Sequence, residues 1–177
     1  TENIINLALT GHATTGKTML AEAMVTNAGM IHAMGSIASG TTISDYREYE
    51  IENQHSISLT LMNLEWEDKK INVLDAPGYL DFHGEVKSAM RVADLAGVLV
   101  SATDGIDIGT ELCCDYADKD YCIPKIFPGG CNSGSVDLPV PDNQHFSFLP
   151  PWAVYKRLRP SVCIWVLEVG IITAGIF

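Results

Sequence analysis

The chain has 177 residues, 47% of them hydrophobic and 19% charged, which fits one ordinary globular domain with a sizeable core. Its formal net charge of −11 argues against electrostatic binding to DNA, which needs a basic footprint; RNA docking through a local basic patch or another domain stays open. The five cysteines form no Cys-x-x-Cys pair and no zinc-finger spacing with histidine, so they read as reduced thiols of a cytoplasmic protein.

The start, TENIINLALTG, has no basic segment followed by an apolar one, so it does not read as a signal peptide. Residues 4–9 form a short apolar run that ends in Thr10-Gly11, as a buried strand would. GHATTGKT follows at residues 11–18 and fills the pattern G-x-x-x-x-G-K-[ST]. A helical pattern begins at about Lys17, so strand, glycine loop and helix stand in the order that a phosphate loop demands.

In such a loop the backbone N–H groups of Ala13, Thr14, Thr15, Gly16, Lys17 and Thr18 turn inward around a β-phosphate, helped by the N-terminus of the following helix. Gly11 and Gly16 permit the tight path, and His12 lies within it among the nucleotide-binding candidates. Lys17 carries positive charge to the β- and γ-oxygens, and Thr18 offers a hydroxyl to Mg²⁺.

Residues 34–56 are polar and acidic with no sustained period and read as a long mobile loop of the kind that carries function. Residues 57–66 alternate, with Ile57, Leu59 and Leu61 on one face, and a charged turn at 67–70 leads into a second strand at 71–75, a hairpin. Asp75 closes that strand, where a carboxylate sits beside the phosphate loop and holds Mg²⁺ through water. Three residues on, Gly78 brings an N–H within reach of a γ-phosphate, and a D-x-x-G behind a phosphate loop and a polar loop is the pattern of a GTP-driven switch.

Residues 85–92 read as a helix, 95–103 as a strand covered on both faces, 107–120 as a helix and 123–127 as one more central strand. The alternation predicts an α/β fold of phosphate-loop NTPase type, a layered, mostly parallel sheet with helices on both faces, incomplete at its C-terminal part. The histidines are scattered and form no metal-binding pattern.

GHATTGKT, DYREYEIENQHSIS and DAPGYLDFHGEVKSAMRVADLAGVLVSATDGIDIGTE resemble the GTP-binding domain of elongation factor G. They are more similar still to its divergent paralogues, the elongation-factor-G-like proteins sometimes called the second elongation factor G. The similarity covers residues 3–127 and implies a ribosome-associated translational GTPase that binds GTP and GDP with Mg²⁺. It also implies that Ser56 stands in for the family threonine that meets Mg²⁺ and γ-phosphate. Asn53 replaces a family arginine, and Tyr79 replaces the histidine that positions the attacking water, as it does in the divergent paralogues. A tyrosine hydroxyl can hold water but does not become a cation near neutral pH, so Lys17, Gly78 and Tyr79 form a catalytic set with a slow intrinsic rate.

The family continues after its strand with Asn-Lys-x-Asp, whose aspartate pairs with guanine; here residues 128–132 read Pro-Gly-Gly-Cys-Asn. Asp118-Lys119-Asp120 has the wrong spacing and lies in the expected helix. Selection of GTP over ATP is therefore expected to be largely lost. Residues 1–127 are thus expected to be a partial GTP-binding domain, truncated before that motif, and 128–177 a divergent tail, disordered or arising from a changed reading frame. The apolar stretch at 161–177 is short for a membrane span and carries Glu168, which disfavours one.

Overall fold

The computed structural model describes residues 3–101 and 104–120 and the backbone of 125–126. The tail at 128–177, the window that replaces Asn-Lys-x-Asp, and the ends of the strand expected at 123–127 lie outside the described residues.

β1 (Ile4–Gly11) lies at the centre of the sheet, between β3 (Lys69–Asp75) and β4 (Leu95–Leu99), and is parallel to both. β2 (Thr60–Trp66) runs antiparallel on the far side of β3, and the short β5 (Lys125–Ile126) runs parallel beside β4. The order β2-β3-β1-β4-β5 gives a mostly parallel five-stranded sheet. β1 can be central because residues 7–10 are apolar or small and buried whichever face they point to.

Two cores divide along the alternation of the strands. Leu7 and Leu9 of β1, Met62 and Leu64 of β2 and Val73 of β3 pack with Ala21, Met24 and Val25 of α1 (Lys17–Asn27) on one face. On the other, Ala8, Leu74, Ala96 and Val98 meet Val86, Ala89 and Met90 of a helix at His83–Val92 and Cys113 of another at Ile108–Asp115, here α3 and α4. Each fully buried Val, Leu or Met side chain contributes about 1.5–3 kcal/mol by leaving water, so the two layers hold the sheet from both sides. The expected layered α/β architecture is what the chain adopts.

Several local expectations change. The hairpin forms, but the buried face of β2 is Thr60, Met62 and Leu64, not the face of Leu61, which is 62% exposed. The reason is register: Met62 and Leu64 pair with Val73 and Ile71 beneath α1, whereas Leu61 points to the other face at the sheet edge. Glu67 and Asp68 both take positive φ, the backbone of a two-residue hairpin turn whose twist matches its strands. The helix expected at 85–92 starts at His83 behind a short 3₁₀ turn at Leu80–Phe82. The helix expected at 107–120 is α4, with Asp107 as its N-cap, followed by a π-helical turn at Tyr116–Asp120. β4 ends at Leu99, and Ser101 forms an isolated bridge with Gly105.

The polar stretch 34–56 holds one regular element, α2 (Glu48–Asn53). Two fully buried carboxylates fasten it. Glu22 of α1 accepts hydrogen bonds from the N–H groups of Gly35, at 3.2 Å, and Ile43. Glu50 of α2 accepts from the N–H groups of Ile57 and Ser58 at 3.0 and 2.9 Å. Backbone donors to a buried carboxylate are charge-assisted, and losing them leaves amides unpaired at about 1–3 kcal/mol each. Glu22→Ala is accordingly expected to release residues 34–44, with amide exchange at Gly35 and Ile43 rising at least about tenfold while β1 stays protected. Hydrogen-exchange mass spectrometry measures this.

Candidate functional site

The phosphate loop leaves the central strand at Gly11, whose φ of 130° belongs to glycine and where an added Cβ would overlap the backbone of Leu99. Thr14 and Gly16 also take positive φ, at 65° and 86°, which curls residues 12–16 into a cup before α1 begins at Lys17. Inside the cup the carbonyl of His12 accepts from the Thr15 hydroxyl at 2.9 Å and from Lys17 Nζ at 2.6 Å. Ala13 and Lys17 are buried, and burial pulls the Lys17 pKa below its usual value, an effect that nearby Asp75 and the Cys113 thiol partly oppose. The His12 ring is anchored sideways, with Nε2 3.3 Å from Asp107 Oδ2 at the start of α4 and Gly109 giving the ring room.

Around the end of β3 four expected residues converge. Asp75 is fully buried, and its Oδ2 accepts from the Thr18 hydroxyl at 2.8 Å. Thr18 lies 3.1 Å from the Ser56 hydroxyl, which brings the polar loop onto the phosphate loop. Gly78 is buried against the cup, and a Cβ there would overlap the backbone of Ala13 and the tip of Lys17. Tyr79, next in the chain, is 42% exposed and projects outward from this contact.

Ser44 and Asp45 join the cluster, and sequence reasoning does not find them. Ser44 donates to Asp75 Oδ2 at 2.6 Å. Asp45 is buried and sits near enough to Asp75 to raise its pKa. The Ser56 hydroxyl is close enough to hold the Asp45 pKa down but lies outside hydrogen-bond geometry, and burial dominates and raises it. A Ser-Asp pair in a polar stretch has no sequence signal that separates it from a solvated loop. His55 lacks such a signal too; its ring packs edge-on against Tyr79 with centroids 4.7 Å apart.

The donor set can be tested for fit to a cation. Among the described residues no group of three or more His, Cys, Asp or Glu side chains converges, which excludes a cage built wholly of such groups there. Hydroxyls and one or two carboxylates are what Mg²⁺ takes when phosphates supply the rest. Thr18, Ser56 and Asp75 match that, and Asp75 Oδ1 is buried with no hydrogen-bond partner, as are both Asp45 oxygens. Buried unpaired carboxylate oxygens call for a partner, and a cation is one.

Burial lifts the Asp75 pKa to about 6, against the opposing pull of the Ser44 and Thr18 hydroxyls and Lys17. A carboxyl whose pKa rises on folding binds its proton more tightly in the native state. Its contribution therefore favours the fold at low pH and is lost as pH rises from about 4 through about 6. For the nucleotide-free chain this amounts to on the order of 1–3 kcal/mol. Asp75→Asn is expected to remove that decline and to raise the melting temperature at pH 7, measured by thermal denaturation between pH 4 and pH 7.

Comparison with known proteins identifies the family. Residues 2–126 match the family model described as elongation factor Tu GTP binding domain. The chain is 37% identical over 138 residues to the tetracycline resistance protein TetO of Campylobacter jejuni, covering 77% of this chain and 21% of that one. It is 38% identical over 124 residues to elongation factor G 2 of Borreliella burgdorferi, covering 70% and 18%. The chain thus spans about a fifth of the length of these relatives. A match to the tetracycline resistance protein TetM from Enterococcus faecalis covers 91% of this chain at 36% identity, more than residues 1–127 alone supply, so likeness does not stop at Phe127.

Among solved structures, a crystal structure from Thermus thermophilus superposes with a TM-score of 0.65 at 36% identity, covering 67% of this chain and 18% of that one. The elongation factor SelB from Methanococcus maripaludis, solved with the GTP analogue GppNHp, gives 0.52 at 25% identity, over 70% of this chain and 21% of that one. With the family model matched over most of its length, the chain belongs to the elongation factor Tu GTP binding domain family and is a translation-factor GTP-binding domain similar to that of elongation factor G.

Proposed function

We propose that this chain binds GTP and GDP through their phosphates with Mg²⁺ and hydrolyses GTP slowly. The observation that carries this is the cluster in which Thr18, Ser44 and Ser56 gather around buried Asp75 beside the glycine cup. Thr18, Ser56 and Asp75 would hold Mg²⁺, which would neutralise part of the phosphate charge. A cation there favours ionised Asp75 and offsets the cost of burying it.

The chain's own residues supply the remainder. Gly11, His12, Ala13, Thr14, Thr15 and Gly16 shape the cradle, and Lys17 brings charge to the β/γ junction. Gly78 meets the γ-phosphate by its N–H and couples the segment after β3 to its presence. Tyr79 would offer its hydroxyl to the attacking water. Hydrolysis is expected to be slow because a neutral phenol stabilises developing charge less well than a cation does.

The ribosome is the partner that resemblance to elongation factor G supports. A second reading, a non-hydrolysing interaction module that does not select guanine, is favoured by one observation, the absence of Asn-Lys-x-Asp after β5. Fluorescent GTP titrated in Mg²⁺ and in chelator tests the first reading. Affinity at least about tenfold higher with Mg²⁺ is expected; equal affinity in both, or tight binding without turnover over many hours, supports the second.

A further inference from the structure

We propose that His55 orients the water that attacks the γ-phosphate, a proposal that rests on reading this chain as a GTP-hydrolysing domain. The two segments that close on the phosphate loop do so at Ser56, 3.1 Å from the Thr18 hydroxyl, and at Gly78, packed on Ala13 and the tip of Lys17. Their immediate chain neighbours are His55 and Tyr79, and these two rings meet edge-on, with centroids 4.7 Å apart. The second contact of the imidazole is stacking on Phe82, at 6.4 Å. Imidazole and phenol therefore stand together at the edge of the cradle, each one residue from a group that touches it.

The orientation of the ring is set by its own segment. Nδ1 of His55 lies 2.9 Å from the carbonyl oxygen of Asn53. A carbonyl only accepts, so Nδ1 carries the proton, and Nε2 of the neutral ring is left as an acceptor. The left-handed backbone of Gln54, at φ 55°, makes that short-range bond possible by folding the chain back after α2. The His55 N–H donates to the Glu50 carbonyl, which fixes the segment further, and the carboxylate of buried Asp45 lies in the vicinity. The ring itself is only half-buried and Tyr79 is exposed, so water reaches both.

In the step, the water oxygen forms a bond to the γ-phosphorus while the bond from that phosphorus to the bridging oxygen breaks, its electron pair remaining on GDP. His55 Nε2 accepts a hydrogen bond from the water and aims its lone pair; the water proton leaves with the phosphate product. Holding water in line is the contribution a positioned residue makes in phosphoryl transfer, where the chemistry is mostly placement. The Tyr79 hydroxyl is left to act as a second contact for the same water.

His55→Phe tests this because it keeps a ring for Tyr79 and Phe82 to pack on and removes the Nε2 acceptor together with the Nδ1 donor to the Asn53 carbonyl. Single-turnover GTP hydrolysis is measured beside binding of fluorescent GTP. The expected result is hydrolysis at least about tenfold slower with binding within about twofold of wild type. In His55→Gly, added imidazole is expected to restore a part of the rate, which packing alone would not do. His55→Phe turning over at the wild-type rate while both proteins bind GTP overturns the proposal and leaves nucleotide binding standing. Wild-type protein that binds no GTP overturns both.

Discussion

Lys17→Ala is expected to weaken GTP binding about 100-fold or more without unfolding the chain. Lys17 is buried in the glycine cup with Nζ 2.6 Å from the His12 carbonyl. Burial lowers its pKa and so makes its charge expensive to keep there, with Asp75 as the main group that favours it. A cation held against that tendency is positioned for an anionic ligand. Hydrogen bonds to charged groups contribute roughly 1.5–3 kcal/mol each, and a lysine shared between β- and γ-oxygens loses two. Every 1.4 kcal/mol is about tenfold in affinity. Fluorescent-nucleotide titration of the variant, with circular dichroism to verify its fold, measures the effect. Affinity within about threefold of wild type would mean that Lys17 is only a buried helix-start lysine.

Gly78→Ala is the second large effect, and it separates the two nucleotides. A methyl group at this position would overlap the Ala13 backbone as well as Lys17 Nζ. The lysine tip can move aside, but the Ala13 backbone is fixed by the cup and by β1 behind it. The segment after β3 must then stand away from the phosphate loop, at a cost of about 1–3 kcal/mol as for other overpacked positions. GTP affinity is therefore expected to fall about ten- to hundredfold, while GDP, which has no γ-phosphate for Gly78 to meet, loses little. Competition of each nucleotide against a fluorescent analogue reads the two constants. An equal loss for both would show that the substitution damages the cup and not the sensing segment.

The parts of this site that are legible in the sequence are those fixed by short-range rules. Gly11 and Gly16 announce themselves because the positive φ at both positions suits glycine, and Lys17 and Thr18 follow at fixed spacing on the same helix start. Asp75 is legible because Gly78 follows it at D-x-x-G spacing, behind a phosphate loop and a long polar loop. Ser44, Asp45 and His55 are not, since what makes them notable is where a polar 23-residue stretch folds back, and that path is set by Glu22 and Glu50. Both of those look like ordinary acidic residues in sequence, and nothing local marks them as buried. The choice of buried face in β2 has the same origin: alternation gives two faces, and the pairing of Met62 with Val73 decides which one meets α1.

The same division explains the architecture. Residues 7–10 of β1 carry their own signal, because a strand buried on both faces reads as a continuous apolar run. The π-helical turn after α4 instead packs Tyr116 against His83 and Lys87 of α3, well back in the chain. Helix and sheet rules alone cannot supply that information.

The most direct test is equilibrium titration of the unmodified chain with fluorescent GTP in Mg²⁺, followed by competition with unlabelled GTP, GDP and inorganic pyrophosphate. The account predicts saturable binding that all three competitors reverse, because the cradle holds the phosphate end of the nucleotide. A folded chain that shows no saturable binding, or binding that pyrophosphate and GDP leave untouched, would contradict it.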